Sequence, residues 1–359
     1  MVIITYKFKK FILILTVVLS GIAFFTNVEN MILYVKTALT FCANSLIPSI
    51  FIFMIFSSFT LYSSAFSGIF NYIPKKVLNI LGICRKYISH IFICSLCGFV
   101  SGAKVICDDF RENGGSEIDF SNSVILSSNA GIGFLISCVG VKIWDDIRFG
   151  IYLFVIQIFI AFFLGKLLLK KDNINSNEAF VCPKYSSLST AFSRAVSSSV
   201  STILVMCAFV ITFACICEAF CNALGIHEES PIRYILIFIC EFSRGCFNTI
   251  NFESSLICAF FTGFCVGFGG LCVHFQIFSV CEGLPLDKLR FIIFKIFHGI
   301  FCGIFAVFYA FITKIEPLKN TFEYIDIASD NSLISTIFFI CVAFVFIKAI
   351  LKTFFRKLY

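Results

Sequence analysis

A handful of charged or strongly hydrogen-bonding side chains fall inside otherwise apolar stretches, and their types limit the chemistry open to this chain. Lys104 ends the stretch Gly98-Phe99-Val100-Ser101-Gly102-Ala103-Lys104; Glu241 and Arg244 stand three apart; His274 and Gln276 follow Gly267-Phe268-Gly269-Gly270; His298 precedes Gly299. Ionisable residues at membrane depth are costly and mark functional sites by default. Lys104 either meets an anionic group or snorkels to the membrane surface. If residues 234–250 are helical, Glu241 and Arg244 share a face, where they pair with each other or contact a solute. A backbone bent at the glycine run would aim His274 and Gln276 at a cavity. Asn129 either caps a hairpin or touches a ligand. None of these forms a catalytic set: there is no Ser–His–carboxylate arrangement and no His-Glu-x-x-His pair, and the glycine run is not followed by the Lys-Ser or Lys-Thr of a phosphate loop. The expected chemistry is binding of a small polar solute, without enzymatic activity.

The elements that must position these groups are membrane helices. Hydrophobic residues make up 59% of the 359-residue chain, and the mean hydropathy is +0.98, above the apolar share of about 45–50% in soluble domains. The chain reads as an all-α polytopic membrane protein in contact with lipid. Most of the cysteines, Cys94, Cys207, Cys215, Cys258 and Cys341 among them, sit in apolar runs, where a free thiol behaves as a small hydrophobe. The one Cys94-x-x-Cys97 pair lacks the further ligands a structural zinc needs, so no metal or other cofactor is expected. The net charge of +7 lies mainly in short flanks such as Lys7–Lys10, Lys75–Lys86 and Lys348–Lys357; such patches set topology and are not read as binding nucleic acid.

Along the chain, residues 11–26 form an apolar run behind Lys7, Lys9 and Lys10 without a small-residue cleavage site, which reads as a retained first span with a cytoplasmic amino terminus. Residues 31–46 form an amphipathic helix that meets Pro48, and residues 50–62 cross back. Residues 88–106 are long enough to span, but a crossing there would carry the basic linker around Lys166–Arg194 outside, against the positive-inside tendency. They are therefore read as a re-entrant hairpin bent at Gly98 and Gly102, with its loop ending at Gly114-Gly115. Spans at 118–140 and 148–168, a polar linker at 172–190 and a long serine-bearing helix at 191–220 follow, then residues 234–250 and spans at 291–313 and 333–352.

Each glycine in a helix interior costs roughly 1 kcal/mol relative to alanine, so the stretch Gly267–Gln276 is expected to break a membrane helix. Freed backbone groups at that depth must be buried in protein or line a wet cavity. A shift of 168 residues brings Gly102 onto Gly270, Asp119 onto Asp287 and Gly131 onto Gly299. This suggests two structural repeats, each with a glycine-broken re-entrant hairpin, the arrangement in which repeat-built transporters place their sites. The units are then an anchor at 1–30, a first repeat at 31–171, the linker at 172–190, a second repeat at 191–313 and a loop with a terminal helix at 314–359. Inverted repeats would put the basic carboxyl-terminal tail outside; an extra crossing at 234–250 would make the repeats parallel and return the tail inside, and the charge rule favours the latter.

With these elements aligned, the chain resembles the sporulation integral membrane proteins of the YlbJ type, which carry a nucleoside-recognition or gate domain. The resemblance rests on Ser45-Leu46-Ile47-Pro48-Ser49, on Gly98 through Lys104, on Ser128-Asn129-Ala130-Gly131 through Phe134 to Val139-Gly140, on Glu241 with Gly245, and most specifically on Gly269-Gly270-Leu271-Cys272-Val273-His274-Phe275-Gln276. It covers about residues 40 to 313. Val100 and Ile132 stand where the family pattern has proline, so the breaks rest on glycine alone. The resemblance implies a gate or nucleoside-transporter-like fold in a cell, forespore or mother-cell membrane and a role in endospore formation. A small polar or nucleoside-like solute would be transported or sensed between the two hairpins, and the reading admits a homo-oligomer. Gly98, Gly102, Lys104, Asn129, Glu241, Arg244, Gly269, Gly270, His274 and Gln276 are the candidate substrate-binding residues. The rival expectation is a non-transporting membrane protein that helps assemble the spore envelope.

Overall fold

A computed structural model describes residues 28–63, 87–169, 187–227 and 230–318. The expected first span at 11–26, nearly all of the linker at 172–190 and the terminal span at 333–352 lie outside these residues. Among the described residues six helices are long and apolar enough to cross a membrane: Met31–Thr60, Glu117–Ile143, Ile147–Leu168, Leu188–Asn222, Ser255–Val280 and Lys288–Thr313. Their outward faces carry exposed apolar side chains, such as Val155, Phe159 and Phe163 or Ile304, Phe308 and Phe311, suited to hydrocarbon and unsuited to water. The chain is a multi-pass membrane protein.

Helix α1 (Val28–Phe41) runs through a π-helical turn, Cys42–Leu46, into α2 (Ile47–Tyr62). Pro48 was expected to separate an amphipathic helix from a span, yet the helix continues past it. Proline brings no N–H to the turn before it; the Asn44 carbonyl accepts instead from Lys142 Nζ at 3.3 Å, and Lys142 also reaches Ser45 Oγ at 3.2 Å. A cation from a distant segment thus carries the helix across its proline.

Helix α3 (Ile88–Cys97) and helix α4 (Phe99–Asn113) meet at Gly98. Its φ of +102° lies where side chains with a Cβ are strained. The two helices fold back on one another, because a Cβ on Gly102 would stand 2.7 Å from Cys94 Cβ. The bend expected at both Gly98 and Gly102 is therefore at Gly98 alone; Gly102 is helical and serves close packing. After a turn at Gly114 and Gly115, both with positive φ, α5 (Glu117–Ser127) starts at Ser116, whose hydroxyl accepts from Asp119 N.

The expected continuous span at 118–140 is broken at Ser128–Gly131. The chain resumes as α6 (Ile132–Phe134), which winds on as a π-helix through Ile143. Gln157 of α7 (Ile147–Leu168) serves the buried backbone freed at that break, taking the Ala130 N–H at 3.1 Å and donating to the Ala130 carbonyl at 2.8 Å.

Helix α8 (Leu188–Ala223) has 36 residues and rises about 54 Å, well beyond the roughly 30 Å of hydrocarbon. Residues 234–250, for which a single helix was one alternative, divide at Glu241 into α9 (Pro231–Cys240) and α10 (Phe242–Asn248). The carboxylate of Glu241 accepts from Ser243 N, Ser243 Oγ and Arg244 N, so the break carries its own cap.

Helix α11 (Ser255–Phe268) ends at Gly269, which takes a left-handed conformation with φ +82°, and α12 (Gly270–Val280) starts there. Gly267 is still helical. It pairs with Gly263 in a Gly-x-x-x-Gly stripe that faces Gly299 and Gly303 of α13 (Lys288–Thr313). A Cβ at Gly267 would lie 2.6 Å from the His298 carbonyl, and one at Gly263 2.5 Å from the Cys302 carbonyl. Small residues on both sides let these helices touch along their backbones.

The 168-residue shift does not match break to break, since Gly270 lies at one while Gly102 is helical. The bends at Gly98 and Gly269 lie 171 residues apart, as do the caps Ser116 and Asp287 of helices that follow them.

Candidate functional site

The helix breaks converge. Gly98, Gly131 and Glu241 line one cavity of about 40 Å³, joined by Gln276 of α12 and by Thr202 and Met206 of α8; Leu46, Ile50 and Met54 supply an apolar wall. At roughly 10–15 Å³ per water, this is room for about three waters. The Gly269–Gly270 bend abuts the Glu241 break, because a Cβ on Gly270 would lie 3.2 Å from the Cys240 carbonyl and 3.3 Å from Glu241 Cα.

Helix ends give this small space its polarity. No side chain caps α4 at Gly98, and the first bond of its ladder runs from Gly102 N to the Gly98 carbonyl. The amides of Phe99, Val100 and Ser101 precede that bond and form the positive end of a helix dipole. Glu241, only 2% exposed, brings a carboxylate whose two oxygens are held by α10. Gln276, also 2% exposed, donates from Nε2 to Cys272 Sγ at 3.3 Å, while its Oε1 has no partner. A buried amide oxygen left unpaired costs about 1–3 kcal/mol.

Of the residues singled out in the sequence, Gly98, Glu241 and Gln276 meet at the cavity and Gly269 and Gly270 adjoin it. The others lie elsewhere. Lys104 Nζ donates to Ser198 Oγ at 3.3 Å, a hydroxyl that Tyr62 also reaches. Asn129 serves the α5–α6 break, donating to Ser95 Oγ at 3.2 Å and to the Leu126 carbonyl at 2.7 Å. His274 turns away from the cavity: Nδ1 lies 2.6 Å from its own Gly270 carbonyl, and the ring packs on Phe268 and Phe291. Arg244 does not pair with the carboxylate of Glu241, meeting it only through its backbone amide.

Two further polar clusters are buried. Glu218 of α8 accepts from Arg244 at 2.9 Å and from Arg233 on its other oxygen. Lys295 and His298 of α13 lie fully buried beside the α5–α6 break. A charge inside an apolar helix is the signal that marks Glu218 and Lys295 in the sequence; their partners, far along the chain, leave no such mark.

The cavity belongs to a multi-pass membrane protein whose helices are interrupted where they meet. No family model, curated protein or solved structure matches the chain.

Proposed function

We propose that this membrane protein binds a small polar solute in the cavity between its broken helices and moves or senses it across the membrane. The observation that carries the reading is the buried, unpaired Oε1 of Gln276, a residue that lines the same cavity as the uncapped amino-terminal end of α4. A solute with a donor for Gln276 and an acceptor for the Phe99–Ser101 amides would satisfy both at once. Half-helix ends aimed at a ligand are a recurring transporter device. The bends at Gly98 and Gly269 supply hinges by which a space of a few waters could widen. The corresponding positions of these bends and of the caps that follow them support a repeat-built, gate-like architecture with hairpins that enter and leave on one side. The resemblance to the sporulation gate proteins adds the setting, a bacterial cell membrane during endospore formation.

The test is a thermal-shift screen of the purified chain against nucleosides, amino acids and other small polar metabolites. Wild type is expected to be stabilised by members of one chemical class, and Gln276→Leu to lose at least tenfold in affinity with its unliganded melting temperature near that of wild type. If no compound shifts wild type, or Gln276→Leu responds equally, the solute reading fails. Normal sporulation with Gln276→Leu and failure with surface-loop variants would then favour the envelope-assembly role.

A further inference from the structure

Lys295 is 0% exposed, at the middle of the bundle. Its ammonium has three N–H donors and three acceptors around it. Nζ donates to the Ser128 carbonyl, where α5 ends. His298 Nδ1 lies 3.4 Å away, and the Phe99 ring face lies 5.3 Å from Nζ. With its proton on Nε2, 2.8 Å from the Gln157 carbonyl, His298 can accept at Nδ1; with its proton on Nδ1 it donates to the Gly267 carbonyl instead. The Gly267 carbonyl, one residue short of the end of α11, stands 3.1 Å from Nδ1. None of the ion pairs among the described residues includes Lys295. The titratable groups nearest it are His298 and Cys302 on its own helix and His274 on α12.

What balances this charge is backbone. The Ser128 carbonyl at the carboxyl-terminal end of α5 accepts from it directly, the Gly267 carbonyl near the end of α11 stands on the far side of His298 Nδ1, and a helix carboxyl-terminus carries about half a negative charge. Unwound carbonyls and half-helix carboxyl-terminal ends are also what coordinate monovalent cations in transporters with broken helices. The helix ends are thus sorted: the amino-terminal end of α4 borders the cavity, the carboxyl-terminal end of α5 meets Lys295 directly and that of α11 meets it through His298, and Phe99 lies against both the cavity and Lys295.

We propose that Lys295 fills a monovalent-cation site with the chain's own ammonium, so that this protein carries its cation covalently and needs neither sodium nor potassium at that position. The assignment does not depend on the identity, or the existence, of a solute in the neighbouring cavity.

The experiment uses the full chain purified in detergent with choline as the only small cation, then with choline replaced by sodium or methylammonium at equal ionic strength. Wild type is expected to melt at the same temperature in all three. Lys295→Ala should melt lower in choline and recover by a few degrees, saturably, in methylammonium or sodium, and should bind radioactive sodium in equilibrium dialysis where wild type does not. Lys295→Met, which fills the space with an apolar chain, should show neither recovery nor binding. Lys295→Gln carries the same test if Lys295→Ala does not accumulate. The proposal is overturned if the emptied site responds no better to sodium or methylammonium than to choline, if wild type responds as the variants do, or if Lys295→Met recovers like Lys295→Ala.

Discussion

Glu218 lies between Arg233 and Arg244, each guanidinium on a different carboxylate oxygen, with the carboxylate side chain only 4% exposed. The three come from α8, α9 and α10, so this carboxylate ties the long helix to the segment broken at Glu241. Removing one partner of a buried ion pair leaves uncompensated charge and typically costs 3–5 kcal/mol. Glu218→Gln should therefore lower stability by about 3 kcal/mol or more, read as a fall in melting temperature in detergent. Adding Arg244→Met should recover part of that loss, because one of the two stranded guanidinium groups is then gone. A melting temperature for Glu218→Gln within a degree of wild type would mean that the arginines find water or lipid headgroups instead. Glu241 differs although it is as deeply buried: its oxygens are held within its own helix turn, which makes it a structural cap as well as part of the cavity wall.

Among the elements, the two glycines of the α3–α4 hairpin separate into a conformational and a packing requirement. At Gly98 an added Cβ meets nothing nearer than 3.5 Å, but the φ of +102° with ψ 170° remains, a strain of about 1–3 kcal/mol for an L-residue. At Gly102 the backbone is helical and the obstacle is Cys94 Cβ at 2.7 Å. Gly102→Ala should be destabilising in wild type and largely restored by Cys94→Gly, whereas Gly98→Ala should gain nothing from Cys94→Gly; a double-mutant thermal-melt comparison reads the difference. The Gly98 and Gly269 bends were legible in the sequence because glycine in an apolar helix is costly and needs a reason. The other breaks were not. The one at Ser128–Gly131 is satisfied by Gln157, a side chain 27 residues away from Ala130, and the one at Glu241 looks locally like a helix with a charged pair. Pro48 misled in the opposite sense, since a π-helical turn and Lys142 keep its helix whole. For the candidate site, the local signature led to Gln276 and Glu241, while the orientation of His274 depended on aromatic packing against α13 that no spacing along α12 reveals.

At the scale of the whole molecule, the polytopic helical character follows from composition alone, and what composition leaves open is where the interruptions meet. They meet against α8 at Thr202 and Met206. On a helix from Leu188 to Ala223, Met206 lies about 27 Å from the first residue and about 25 Å from the last at 1.5 Å per residue. The cavity is therefore level with the middle of the longest helix. This height has an electrical consequence. Were this height also the middle of the hydrocarbon, a singly charged solute travelling from either face to Met206 would cross about half of the membrane potential, worth about 1 kcal/mol for each 100 mV. A neutral solute should bind without displacing charge, while a charged one should produce a transient current on a supported membrane and an affinity that changes about sevenfold for each 100 mV applied. The voltage dependence of binding would thus read out the depth of the cavity directly.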